Sequence, residues 1–287
     1  MRRALKLEVA QNSICLTLSD PFFIDKIAES YRVFLSGGKP KLVIHIHLSD
    51  EIPHVVSPCG GVIPEGLGFR ISYTYFSGSV DFARGEGNLH TTPERLTLAL
   101  KIFLRNVFMF LLLLDGNGLI LHALAVLKEK EAYVFFGPSG GGKTTAATLS
   151  EGHTILSDDL VFLQPEDGSY RVHPTPPWGD MQRGRRENRP YPLKAVYKLI
   201  KSERIEVSKC NPAQALSDVI TFPPMPADLI PPDRLLATFS HLVKRVPFYE
   251  LRFTKDHSFW PDIDGSFSKV GIKNAKRGSI HGKQNTH

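Results

Sequence analysis

The sequence predicts an α/β fold in which a smaller β-rich N-terminal domain, residues 1–92, precedes a core of strands and helices at 93–263 and a basic tail at 264–287. Three observations predict it. The first ninety residues hold runs such as KLVIHIHLSD and GFRISYTYFSGSVDF, which alternate or run apolar with aromatic and β-branched residues between Gly, Pro and Ser. The stretch VFFGPSGGGKTTAATLS places three glycines between a buried-type strand and a helical run. After Asp264 apolar residues almost vanish, which predicts a disordered tail.

Taken in order, the core begins at Thr91-Thr92-Pro93-Glu94, where Thr92 reads as an N-cap and Pro93 as the first helical turn. The helix should run to about Leu114 and stop at DGNG. LILHALAVL and EAYVFF (Glu131–Phe136) follow as two short apolar strands, expected side by side. Thr145–Leu149 reads as a helix and Thr154–Leu156 as a strand that ends in Ser157-Asp158-Asp159. No internal repeat is visible.

Bulk composition narrows the class. At 287 residues, with 22% charged and 42% apolar, the chain suits an ordinary soluble globular protein of one large domain or two modest ones. The net charge of +6 does not predict nucleic acid as a partner: Lys269, Lys273, Lys276, Arg277 and Lys283 sit in the tail, and without those five the rest carries +1. Cys15, Cys59 and Cys210 lie far apart without metal-type spacing, which suits reduced thiols and a cytoplasmic setting. The N-terminus lacks the apolar region of a signal peptide. The apolar run Val107–Leu114 covers eight residues where a membrane span needs about twenty, so it reads as a core helix and no membrane is expected. A homo-oligomer is compatible with all of this.

The glycine stretch fits G-x-x-x-x-G-K-[ST]: Gly137, Pro138, Ser139, Gly140, Gly141, Gly142, Lys143, Thr144, followed by Thr145. A phosphate chain gripped by inward backbone N–H groups leaves no room for Cβ atoms, hence the glycines. Lys143 would reach the β- and γ-phosphates and the Thr144 hydroxyl would ligate Mg²⁺. The expected ligands are therefore ATP and Mg²⁺. Such a cradle needs a carboxylate beside it. Asp158 and Asp159, expected at the carboxyl edge of a parallel sheet, supply two: one for Mg²⁺, the other to accept a proton from an attacking hydroxyl. His45 and His47 share a strand face but lack further ligands, so they read as ordinary strand histidines. Tyr73, Tyr75 and Phe76 read as sheet packing rather than a base-stacking platform.

Three pieces together, His122-Ala123, the loop Gly137–Thr144 and Ser157-Asp158-Asp159-Leu160-Val161, resemble the HPr kinase/phosphorylase family, which shares a fold with ATP-dependent phosphoenolpyruvate carboxykinases. Downstream segments, PTPPWGDMQRGRRENRPYPLKAVYKLI and VPFYELRFTKDHSFWPDI, look like the HPr-kinase-like proteins found beside peptide-modification genes. The resemblance covers about residues 94–263. It implies a P-loop kinase core of the HPr kinase/PEP carboxykinase type, an active-site His122, Asp159 as base toward a serine hydroxyl, and Asp158 supporting metal or water. HPr kinases usually carry Ser-Glu after the lysine, where this chain has Thr144-Thr145. Their metal-binding glutamate has no counterpart, and Asp180 in PWGDM is the candidate in its place. Arg183, Arg185, Arg186 and Arg189 fit either a phosphate or acidic-substrate site or a solvated loop. The function so implied is transfer of the ATP γ-phosphate to a serine of a small protein or peptide. A small-molecule kinase, a carboxykinase-like enzyme and an inactive nucleotide-binding regulator are the alternatives.

Overall fold

A computed structural model describes residues 3–50, 61–114, 116, 118–221 and 232–266. Cys59 and most of the basic tail, 267–287, lie outside the described residues, so the expectation of a disordered tail is not addressed. The fold is mixed α/β with two sheets.

The N-terminal sheet has seven strands. β1 (Arg3–Val9) and β2 (Asn12–Leu18) form a hairpin whose turn residues, Ala10 and Gln11, both take positive φ, as a tight two-residue turn requires. Asp20 then caps α1 (Pro21–Ser30) by accepting the Phe22 N–H. β3 (Leu42–Leu48), β4 (Gly61–Pro64), β5 (Gly68–Tyr73), β6 (Phe76–Asp81) and β7 (Glu86–Thr91) complete the order β1-β2-β3-β7-β6-β5-β4. Alternation fixes its faces. Leu42, Ile44 and Ile46 point into the core, and His45 and His47 point out.

The core-side face is covered by α2 (Leu96–Leu114), entered through a 3₁₀ turn at Pro93–Arg95 that follows Thr92. Phe103, Leu104, Val107 and Phe108 of α2 belong to one apolar cluster with the N-terminal strands, and that cluster continues into Ile120, Leu160, Phe162 and Trp178 of the second sheet. The fit is close: a Cβ on Gly78 would lie 2.6 Å from the Phe103 ring. Pro93–Leu114 is apolar and long enough to cross a membrane, and 61% of its most apolar window is buried in this fold. Gly116, at φ +70, ends the helix with its N–H on the Leu113 carbonyl.

The second sheet comprises β8 (Leu119–Lys128), β9 (Glu131–Phe136), β10 (Thr154–Ser157), β11 (Leu160–Glu166), β12 (Ser169–His173), β13 (Tyr191–Lys201), β14 (Glu206–Lys209) and β15 (Phe248–Phe253). The helices α3 (Lys143–Thr148), α4 (Pro212–Thr221) and α5 (Pro232–Arg245) are inserted between its strands. β8 pairs with β9 and β11, β11 with β12, β12 with β13, and β13 with β9. Those five strands close a ring. Leu121, Ala123, Val134, Val161 and Val172 fill one side of it together with Val219 of α4 and Phe239 of α5. Leu124, Phe135 and Tyr197 face the other way, against Ala146 and Ala147 of α3 and Phe259 and Trp260 near the C-terminus.

One expectation is changed. The Asp pair does not end a strand of a parallel sheet. β10 and β11 both run antiparallel to β8, and Asp158-Asp159 forms the break between them, opened by a register shift after Ile155 and closed by the Ser157 Oγ donating to the Leu160 carbonyl at 2.6 Å. Parallel pairing is confined in this sheet to β9, β13 and β15.

Candidate active site

The glycine loop joins the end of β9 to α3. Gly140 and Gly142 have φ of +71° and +106°, a region that L side chains rarely enter. Space makes the same demand: a Cβ on Gly142 would lie 2.5 Å from the ring of buried Phe253, and one on Gly141 would lie 2.9 Å from the Pro138 carbonyl. Pro138, Ser139 and Gly140 are exposed, and so is Thr144. Lys143 folds its ammonium back onto the Gly137 carbonyl at 3.2 Å. Burial pushes the Lys143 ammonium down from its usual range, and the negative charge of Asp159 opposes that shift.

Strand register brings the other residues alongside. Phe136, one residue before the loop, pairs with Ala123 on β8, so His122 lies next to the loop's origin. His122 in turn pairs with Leu160 on β11, one residue after Asp159, and the Ala123 N–H donates to the Asp159 carbonyl. His122 projects to the side away from the ring filling, between the patch that α2 covers and the patch that α3 covers. Its Nδ1 is 3.3 Å from Asp159 Oδ1. The second oxygen, Oδ2, is 3.1 Å from a terminal nitrogen of Arg105, which α2 delivers from the far side. The result is a polar seam of Lys143, His122, Asp159 and Arg105 between two apolar patches.

The adjacent aspartates differ. Asp158 turns under the segment 179–181. Its Oδ2 accepts the Met181 N–H at 2.7 Å, and Gly179 passes so close that a Cβ there would lie 1.8 Å from Oδ1. Burial pushes the Asp158 carboxyl up, and the charge of Asp159 adds to that, while the backbone N–H groups of Met181 and Asp180 pull the other way. Among the described residues Oδ1 has no hydrogen-bond partner. The Asp180 side chain is 96% exposed and pairs with Lys101 Nζ at 3.5 Å, so only its backbone turns toward Asp158. No group of three or more His, Cys, Asp or Glu suited to a metal occurs among the described residues. Mg²⁺ carried on phosphates needs only one or two protein ligands and keeps several waters, and Thr144 is exposed at the start of α3.

Other singled-out residues are accounted for by packing. Arg183 donates to the Ala147 carbonyl behind α3. Arg186 donates to the Thr175 carbonyl and Gln182, and Arg189 pairs with Glu187 and lies 4.7 Å over Tyr191. The Arg185 side chain is exposed, its carbonyl accepts from the Thr154 hydroxyl, and its charge acts on Glu187. His47 stacks on His90 at 4.5 Å and His45 meets Thr17 at 2.8 Å. Tyr73, Tyr75 and Phe76 pack on one another. No motif marks Arg105. The available signal was Lys101 and Arg105, four residues apart on one side of an otherwise apolar helix.

Residues 89–221 match the profile of a family described as SynChlorMet cassette protein ScmC, a span that contains Arg105, His122, the glycine loop and all three aspartates. No curated protein matches the chain. Among solved structures, the HPr(Ser) kinase/phosphatase from Coxiella burnetii is similar at 11% identity and a TM-score of 0.29, over 54% of this chain and 98% of that one.

Proposed function

We propose that this protein is an ATP-dependent kinase that transfers the γ-phosphate of ATP to a serine hydroxyl of a small protein or peptide. The observation that carries it is the convergence of Lys143 at the glycine loop with His122 on β8 and Asp159 in the break between β10 and β11. The N–H groups of 139–143 and the Lys143 ammonium would hold the β- and γ-phosphates. Mg²⁺, held by Thr144 and a carboxylate, would neutralise charge on the transferring group. Asp159 takes the role of base because it faces the seam. Asp158 is the carboxylate for the metal or its water in that reading; its Oδ2 accepts the Met181 N–H, which also holds the segment 179–181 beside the site, and its Oδ1 has no hydrogen-bond partner among the described residues. Asp180, paired with Lys101, is the other candidate carboxylate for Mg²⁺. The catalytic body is taken as residues 93–263.

The serine oxygen would attack the γ-phosphorus, the bond to the β,γ-bridging oxygen would break, ADP would leave with those electrons, and the hydroxyl proton would pass to Asp159. Purified protein with MgATP and a pool of serine-containing peptides tests this. Phosphoserine formation that depends on Lys143 is expected; MgATP binding without any transfer would favour the regulatory alternative.

A further inference from the structure

The Asp159 carboxylate has two oxygens and two different partners. His122 Nδ1 stands at Oδ1, 3.3 Å away, and Arg105 stands at Oδ2, 3.1 Å away. These partners are not equivalent. A guanidinium stays charged at any working pH and has no acceptor to offer, whereas an imidazole can give up its proton and with it the attraction to the carboxylate. Oδ2 therefore faces a partner that can only donate and keeps its charge, while Oδ1 faces one whose ring nitrogen can donate or accept. Asp159 is also well enclosed, at 16% side-chain exposure, so the orientation imposed on it is not averaged by solvent.

Arg105 itself is held from a distance. Leu104 is fully buried and Phe103, Val107 and Phe108 sit in the cluster shared with the N-terminal strands, so the helix cannot rotate without breaking that core. We infer that Arg105 is a positioning residue for the proposed transfer: it fixes Asp159 through Oδ2 so that Oδ1 alone points to the serine proton. The N-terminal sheet thereby takes part in the reaction through α2, which shares its apolar cluster. This inference rests on the reading of Asp159 as the base.

The test uses the full chain in four forms: Arg105→Met, Arg105→Lys, Asp159→Asn, and Arg105→Met with Asp159→Asn. Methionine suits an apolar helix and removes the fork, and lysine keeps a charge without the planar geometry. Each is measured for melting temperature, MgATP affinity, and ATP turnover with water or the serine peptide pool as acceptor. Misplacing a reacting group by about 1 Å can cost about 100-fold, so Arg105→Met should turn over about 10- to 100-fold slower with MgATP affinity nearly unchanged. Arg105→Lys should recover part of the rate. The double variant should be no slower than Asp159→Asn alone, because Arg105 acts only through that carboxylate. Wild-type turnover in Arg105→Met, or losses that multiply in the double variant, overturns the inference. A fall in melting temperature and MgATP affinity that matches the fall in rate does so too. If Asp159→Asn is itself as fast as wild type, it is the base assignment that fails. If Asp159→Asn is slow and Arg105→Met is not, only the positioning role fails.

Discussion

Two histidines flank β11, and their surroundings are opposite. His122 on β8 pairs with Leu160, and His173 on β12 pairs with Phe162 two residues along. Both project to the side of the sheet that α2 covers. His122 is 40% exposed and stands against a carboxylate in the seam beside the glycine loop. His173 is 4% exposed, and burial pushes it down to about 4 although the Glu166 charge opposes this. It lines a cleft of about 640 Å³ with Gln11, Lys41 and Arg171, where the Arg171 guanidinium is already paired with Glu166. The same residue type in the same sheet is part-exposed beside a carboxylate at one end and a buried, neutral packing group at the other. What separates them is which neighbours the strand register delivers.

The largest effect that would break this contrast lies at the seam. Asp159→Asn keeps the shape but cannot accept a proton as a carboxylate does, so transfer should fall by about 10²- to 10⁴-fold with MgATP still bound. Turnover and binding measured on the same preparation check it. Asp158→Asn should behave differently, with its main loss in the ordering of 179–181, read as faster proteolysis or amide exchange there.

The other end should show its effect in stability. The folded His173 titrates near 4 and an unfolded histidine near 6.5. Between those values the unfolded chain binds more protons, so stability is lost as pH falls from about 6.5 to 4 and is fully present above 6.5. The contribution is about 3 kcal/mol. Urea unfolding at pH 7 and pH 4.5 should show wild type losing more stability than His173→Gln by about 2 kcal/mol, the part of the shift that this window covers. Equal losses would place the buried histidine's cost elsewhere.

A smaller effect sharpens the loop. Gly142→Ala enters a left-handed conformation that costs roughly 1–2 kcal/mol, with the Phe253 ring in the way besides. Its melting temperature should fall by several degrees and its MgATP affinity should weaken with it.

The glycine loop was legible in the sequence because its demands are local: positive φ and close approach are met by glycines within a few residues of each other. Strand β9 was legible to its ends for the same reason, as a short apolar run bounded by polar turns. The Asp pair could be found but not divided, since adjacent residues differ only in which neighbours fold over them, and Gly179 and Met181 come from twenty residues away. The ring of five strands was hidden for a related reason. Its closure depends on β12 meeting β13 and β9 meeting β13, pairings that no local period encodes. Arg105 was hidden most deeply. Its partner lies fifty-four residues downstream, and its helix reads as a plain apolar core element until it is docked.

Calorimetric titration of the wild-type protein and Lys143→Ala with MgATP tests the central claim most directly. Saturable 1:1 binding by wild type is expected, with a loss of affinity of at least about tenfold when the Lys143 charge proposed to sit over the β- and γ-phosphates is removed. Equal affinity in the two proteins, or no binding by wild type, would contradict it.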